Sequence, residues 1–317
     1  MESVKQGDNT MNIVMALDRS RHARAAIQVL QQMCWPTGST LTLLHVLEIV
    51  TISGGWQLHY HPELWKQFVG ERRKLLAQAQ RFLERMEAQL QVGDTRVGKM
   101  VKWGSPLTGI LEALKKQQAD LVVVGSRGLS GVRRFLLGSV SEGLLHAAPC
   151  SVLISRGRGK RRGERSAKGL RILVAVDESE HALAAARWLR ALRLPAAEVT
   201  ILHVVGPPED CVPQLLTLKA PRFRESAQAV IRMTNERGGQ VLKLARKALA
   251  YRGLTIHPVL AEGHPAEEII RTATRSHADL VILGSRGMTG LKGAFLGSVS
   301  RRVARHAPCS VLVVKTR

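Results

Sequence analysis

Asp120-Leu121-Val122-Val123-Val124-Gly125-Ser126-Arg127-Gly128, followed after nine residues by Gly138-Ser139-Val140-Ser141, occurs twice. It returns 159 residues later as Asp279-Leu280-Val281-Ile282-Leu283-Gly284-Ser285-Arg286-Gly287, followed after nine residues by Gly297-Ser298-Val299-Ser300. Each copy reads as a buried strand, a glycine-rich loop and a Gly-Ser turn into a helix. A repeat of this length sets the domain plan. It predicts a first domain over residues 1–155, a basic linker over 156–169 and a second domain over 170–317.

Reading outward from the repeat, each half alternates strands and helices. Asn12 to Leu17 is an apolar strand run that ends in Asp18-Arg19-Ser20, which can cap a helix from about Arg21 to Met33. Ser39 to Val46 is a second strand, and Glu71 to Leu90 has helical composition with one apolar stripe. A third strand at Thr95 to Val101, a helix at Leu107 to Lys116, the repeated strand, a helix at Val140 to His146 and a strand at Val152 to Ile154 follow. The second half repeats the order from Arg171 to Val314. Strands separated by helices imply an α/β fold: two tandem Rossmann-like domains, each a five-stranded parallel sheet with helices on both faces. Ligands of such sheets bind at the carboxyl ends of the strands.

The loops are suited to phosphate. Gly125, Gly128 and Gly138 leave room for close backbone approach, and glycine alone takes positive φ at no cost. The Ser139 hydroxyl and the amides of Ser139, Val140 and Ser141 fall at a helix N-terminus, where unpaired N–H groups favour anions. Gly284, Gly287, Gly297, Ser298, Val299 and Ser300 repeat the arrangement. Arg127 and Arg286 are placed to clamp phosphates; Arg133 and Arg134 are either further clamps or solvated loop charges. There is no Gly-Lys-Ser/Thr and so no Walker A loop. The first strand of each half ends instead in an aspartate, Asp18 or Asp177, which can cap the next helix, accept hydrogen bonds from a base or ribose, or do both.

Net charge is +22 over 317 residues. It favours acidic partners: nucleotides, nucleic acid or an anionic membrane surface. Residues 1–155 hold 18 basic and 12 acidic side chains, 156–169 hold 7 and 1, and 170–317 hold 22 and 12. This spread argues against a single nucleic-acid stripe. The segment 156–169 is either a solvated tether or a polybasic contact for nucleic acid or anionic lipid. No run is long and apolar enough for a transmembrane segment, and the polar N-terminus lacks a signal-peptide pattern, so a cytoplasmic location is expected. Four cysteines fit a reducing compartment, with Cys150 and Cys309 read as small buried side chains. His59-x-His61 is too little for a metal site.

At this point the chain resembles a tandem universal stress protein. The resemblance rests on Ala-Leu-Asp-Arg-Ser at 16–20, Val-Ala-Val-Asp-Glu-Ser at 174–179, Leu-Leu-His-Val at 43–46 and Ile-Leu-His-Val at 201–204. Gly-Ser-Pro at 104–106, Gly-His-Pro at 263–265, both Gly-x2-Gly-x9-Gly-Ser motifs and the two Pro-Cys-Ser-Val runs complete it. It implies, in one branch of the family, ATP binding, with Asp18 and Val46, then Asp177 and Val204, at the adenosine end and the glycine motif on ribose and phosphates. Magnesium would come only through those phosphates. The resemblance further implies antiparallel pairing of domains through their last strands, here within one chain, and homodimerisation through other surfaces is a further expectation. The sequence supplies no catalytic constellation; at most it allows slow ATP hydrolysis. His45 and His203 read as core histidines, and His146 and His306 as helix C-terminal residues.

Overall fold

A computed structural model of the chain describes residues 10–48, 62–128, 137–157, 169–192, 194, 197–206, 221–249, 253–286 and 296–316. The first half contains β1 (Asn12–Ala16), α1 (Arg21–Gln31), β2 (Thr40–Leu47), α2 (Pro62–Glu87), β3 (Arg96–Trp103), α3 (Pro106–Lys116), β4 (Leu121–Gly125), α4 (Ser139–Ala147) and β5 (Ser151–Ser155). The second contains β6 (Leu170–Ala175), α5 (Glu180–Ala191), β7 (Ala197–Val205), α6 (Pro221–Leu249), β8 (Leu254–Glu262), α7 (Pro265–Arg275), β9 (Leu280–Gly284), α8 (Ser298–His306) and β10 (Ser310–Val314). This is the expected α/β plan, two doubly wound units of five parallel strands each.

The inner strands are apolar on both faces, while the edge strands β3 and β8 carry exposed polar residues. All five residues of β5 and of β10 are buried, as is Leu-Val-Val-Val of β4. Such runs suit a sheet covered on both sides. One core packs α1, α2, α5 and α6 on one face, through Ala26, Phe82, Leu189 and Leu242. The other packs α3, α4, α7 and α8 on the opposite face, through Ile110, Leu144, Ile269 and Val303. Cys150 and Cys309 are buried in the second core, as expected.

The two units form one sheet of ten strands, in the order β3-β2-β1-β4-β5-β10-β9-β6-β7-β8. β5 and β10 pair antiparallel, with Leu153 opposite Leu312. The last strands, edges of their own units, are therefore central in the whole. Each core runs through this seam without a break.

Charged groups fasten the seam symmetrically. Arg156 follows β5; its guanidinium donates to the carbonyls of Ala304, Arg305 (3.1 Å) and Cys309 (3.2 Å), at the end of α8 in the other half. Lys315 follows β10 and donates to the carbonyls of Ala148 (2.7 Å) and His146 (3.5 Å), at the end of α4. Cations there satisfy orphan carbonyls and oppose the helix dipole. Arg305 adds a two-pronged ion pair to Glu142, at 2.6 and 3.1 Å.

Two expectations change. The helix before β3 was placed from Glu71; it begins at Pro62, with proline at its start and Glu63 in its first turn. Arg156, read as part of the basic linker, either tether or polybasic contact, is docked on the second half and largely withdrawn from water. Residues 158–168 of that linker, together with Trp56, His59, His61, Arg133, Arg134 and Gly287, lie outside the described residues. Among the described residues no helix is long and apolar enough to cross a membrane.

Candidate functional site

In each unit the strand order reverses between β1 and β4, and between β6 and β9. The crossovers leave to opposite faces there, which opens a crevice at the strands' carboxyl ends. A cleft of about 680 Å³ occupies this position in the first unit, and one of about 450 Å³ in the second. Asp18, Val46, Gly125, Arg127, Gly128, Gly138, Ser139, Val140 and Ser141 all line the first cleft. Asp177, Val204, Gly284, Arg286, Gly297, Ser298, Val299 and Ser300 line the second.

The aspartates are braced by the turn that follows them. Asp18 Oδ1 accepts from the Ser20 amide at 3.1 Å and the Ser20 hydroxyl at 2.5 Å. Ser20 in turn caps α1, its Oγ accepting from the His22 amide at 3.2 Å. Asp177 holds Ser179 in the same way, through its amide at 2.9 Å and its hydroxyl. The cap is thus the serine; the aspartate orients it. The other oxygen, Asp18 Oδ2, lies against Gly128, where a Cβ would come within 3.0 Å of it. Glycine there lets the loop close down on the carboxylate. Gly125 has a similar reason: a Cβ would sit 2.9 Å from His22 Cβ, at the start of α1.

The glycine loop is pinned at both ends. The Gly138 amide donates to the Ser126 carbonyl at 2.9 Å, and the Gly297 amide to the Ser285 carbonyl at 2.8 Å. The Ser141 hydroxyl points back to the Gly138 carbonyl at 2.9 Å and the Ser126 carbonyl at 3.3 Å; Ser300 repeats both contacts at 3.0 and 2.9 Å. These hydroxyls close the turn, so the donors Ser141 and Ser300 could offer a ligand are their amides. Gly138 and Gly297 are the N-caps of α4 and α8, and neither helix has a side-chain cap. Their first amides are left to face an anion.

The floor is apolar and was only partly legible. Ile110 and Ile269, from α3 and α7, join Val46 and Val204 under the clefts. Gly109 lets α3 approach Val46, to 3.2 Å from a would-be Cβ. The signal was available: Ile110 and Ile269 hold equivalent places after Gly-Ser-Pro and Gly-His-Pro. Leu75, from α2, and Thr234 and Arg237, from α6, also line the clefts. They were missed because their helices begin in the least repetitive parts of the chain. His45 and His203 are buried beside the clefts, and their Nδ1 atoms donate to the carbonyls of Leu17 (2.7 Å) and Val176 (2.8 Å). They tie the second strand of each unit to the exit of the first. Among the described residues no cluster of three or more His, Cys, Asp or Glu is placed to hold a metal.

The model of the universal stress protein family matches residues 9–156 and again 170–315. A universal stress protein of Mycolicibacterium smegmatis is 26% identical over 319 residues, covering 98% of this chain and 99% of its own. Universal stress protein MJ0531 of Methanocaldococcus jannaschii is 35% identical over 146 residues, which is 46% of this chain and 81% of its own. The crystal structure of a universal stress protein from Archaeoglobus fulgidus superposes with a TM-score of 0.56 at 23% identity, over 96% of this chain and 98% of its own; that likeness bears on the fold. With the family model matched twice over most of its length, the chain belongs to the universal stress protein family.

Proposed function

We propose that both clefts bind ATP and that the protein acts as a nucleotide-responsive stress or signalling module. The observation that carries this reading is the uncapped helix N-terminus behind a pinned glycine loop, present in both halves at the switch point of the sheet. A phosphate chain there meets backbone donors and the positive end of a helix dipole. Arg127 and Arg286 line the same clefts and supply charge. Adenosine is assigned to the apolar floor, with Asp18 or Asp177 accepting from ribose or base. The volumes lie within the usual range of about 300–1,000 Å³ for small-molecule sites.

The domain plan belongs to this reading: units 1–155 and 170–317, each with one site, joined through 156–169. Nucleotide extracted from freshly purified, denatured protein and resolved by ion exchange tests it. About two ATP per chain is the expected result. ADP or AMP in place of ATP would favour turnover over simple retention. Protein that is empty and also takes up no added ATP at millimolar concentration would overturn the reading.

A further inference from the structure

The two clefts are not equivalent. Beside the first lies a hollow of about 320 Å³ lined by Arg19, Gln78, Arg81 and Arg85. Arg19 also lines the nucleotide cleft, so the two spaces meet at that residue. Among the described residues no carboxylate lines the hollow, and none of its three arginines takes part in an ion pair. Arg81 and Arg85 are four apart on α2, a spacing at which like charges disfavour the helix. Three guanidinium groups around one space, without a counter-charge among the described residues, suit a phosphoryl group, which each can engage through two donors.

General basicity of the chain does not explain the cluster. The second half is the more basic, with 22 basic and 12 acidic side chains against 18 and 12. Yet the residues 159 positions on are Glu178, Arg237, Gln240 and Leu244. Glu178 brings a negative charge to the lip of the second cleft, and Leu244 is exposed. The arginine hollow is thus a property of the first site.

Its place in the fold defines the ligand. Helices α1 and α2 pack on one face of the sheet and α4 on the other. The anion site at the N-terminus of α4 and the arginine hollow on α2 therefore belong to elements on opposite faces of the sheet, and Asp18 and Arg19 both line the cleft that they share. One phosphate chain running to α4 leaves the hollow empty. We propose that the first cleft selects a nucleotide with phosphoryl groups on both sides of its ribose, of the nucleoside 3′,5′-bisphosphate class. The 5′ group lies at Gly138 and Ser139, and the second group lies between Arg19, Arg81 and Arg85. This rests on the nucleotide reading of the same cleft.

Calorimetry of the full chain with AMP and with adenosine 3′,5′-bisphosphate tests it, since the two differ by one phosphoryl group. The wild type is expected to bind the bisphosphate at least tenfold more tightly than AMP at one site. The R81Q/R85Q variant keeps the helix and the AMP affinity and loses the preference. A Gly297→Asp variant, altered only at the second cleft, keeps it. Equal affinity for the two ligands, or a preference that survives R81Q/R85Q or vanishes in Gly297→Asp, would overturn the proposal. Binding of neither ligand would overturn it, and together with a failure to take up ATP would overturn the nucleotide reading as well, whereas AMP binding without preference removes the arginine subsite alone.

Discussion

Gly138 and Gly297 sit where a helix normally wants an oxygen-bearing side chain. Their backbones are extended, at φ −70°, ψ 157° and φ −63°, ψ 152°, which any residue adopts. A Cβ at Gly138 would make ordinary contact, 3.5 Å from the nearest atoms. Aspartate there would cap α4 better than glycine, by a few tenths of a kcal/mol. It would also put a negative charge on the proposed phosphate. Gly138→Asp is therefore predicted to keep or slightly raise the melting temperature while lowering ATP affinity at the first cleft at least tenfold, about 1.4 kcal/mol. Calorimetry and thermal denaturation on one preparation check both signs. The motif was legible in the sequence because backbone-driven sites leave a glycine pattern. The inward turn of Ser141 and Ser300 was not, since a hydroxyl's direction depends on the carbonyl it finds after folding.

At the scale of the element, Arg156 and Lys315 matter through the helix ends they cover. Burial pushes the Arg156 guanidinium down to about 10, with Arg127 nearby adding in the same direction. Three carbonyls of the other half compensate. Arg156→Ala leaves the end of α8 short of donors and should cost about 1–3 kcal/mol in chemical denaturation. Lys315→Ala, with one short contact and one long, should cost less. Neither role could be read from the sequence, because the partners lie 148 and 167 residues away. The start of α2 was missed for a local reason. Pro62 to Gly70 mixes proline, glycine and aromatic residues that suggest a loop, while the proline start, the Glu63 first turn and the Glu63–Lys66 pair act together to begin a helix. The strands were the most legible elements, for continuous apolar runs such as Leu121–Val124 have few other destinations.

In the whole molecule the halves are one body because β5 and β10 join their sheets. Leu153 and Leu312 are buried opposite each other, and both cores cross the seam. Protein cut by an inserted protease site between residues 158 and 168 should therefore elute as a single species of full-chain size. Two separate halves on gel filtration would contradict this. The Glu142–Arg305 pair makes the seam sensitive to acid. Arg305 lowers the Glu142 carboxyl below its ordinary 4.5, chiefly by hydrogen bonding, and His146 adds to the effect. Its contribution is complete above pH 4.5 and is lost as pH falls through the lowered value. Between about pH 5 and about pH 3 the wild type should lose melting temperature more steeply than Glu142→Gln. The antiparallel seam itself followed from family resemblance, while its register and ion pair required the two halves to be docked.

Two nucleotide sites, each built by its own glycine loop, are what the proposed function requires. Equilibrium dialysis of ATP against the wild type, Gly138→Asp, Gly297→Asp and the double variant tests it most directly. The expected result is two ATP per wild-type chain, one for each single variant and none for the folded double variant. ATP binding unchanged in the double variant would contradict it.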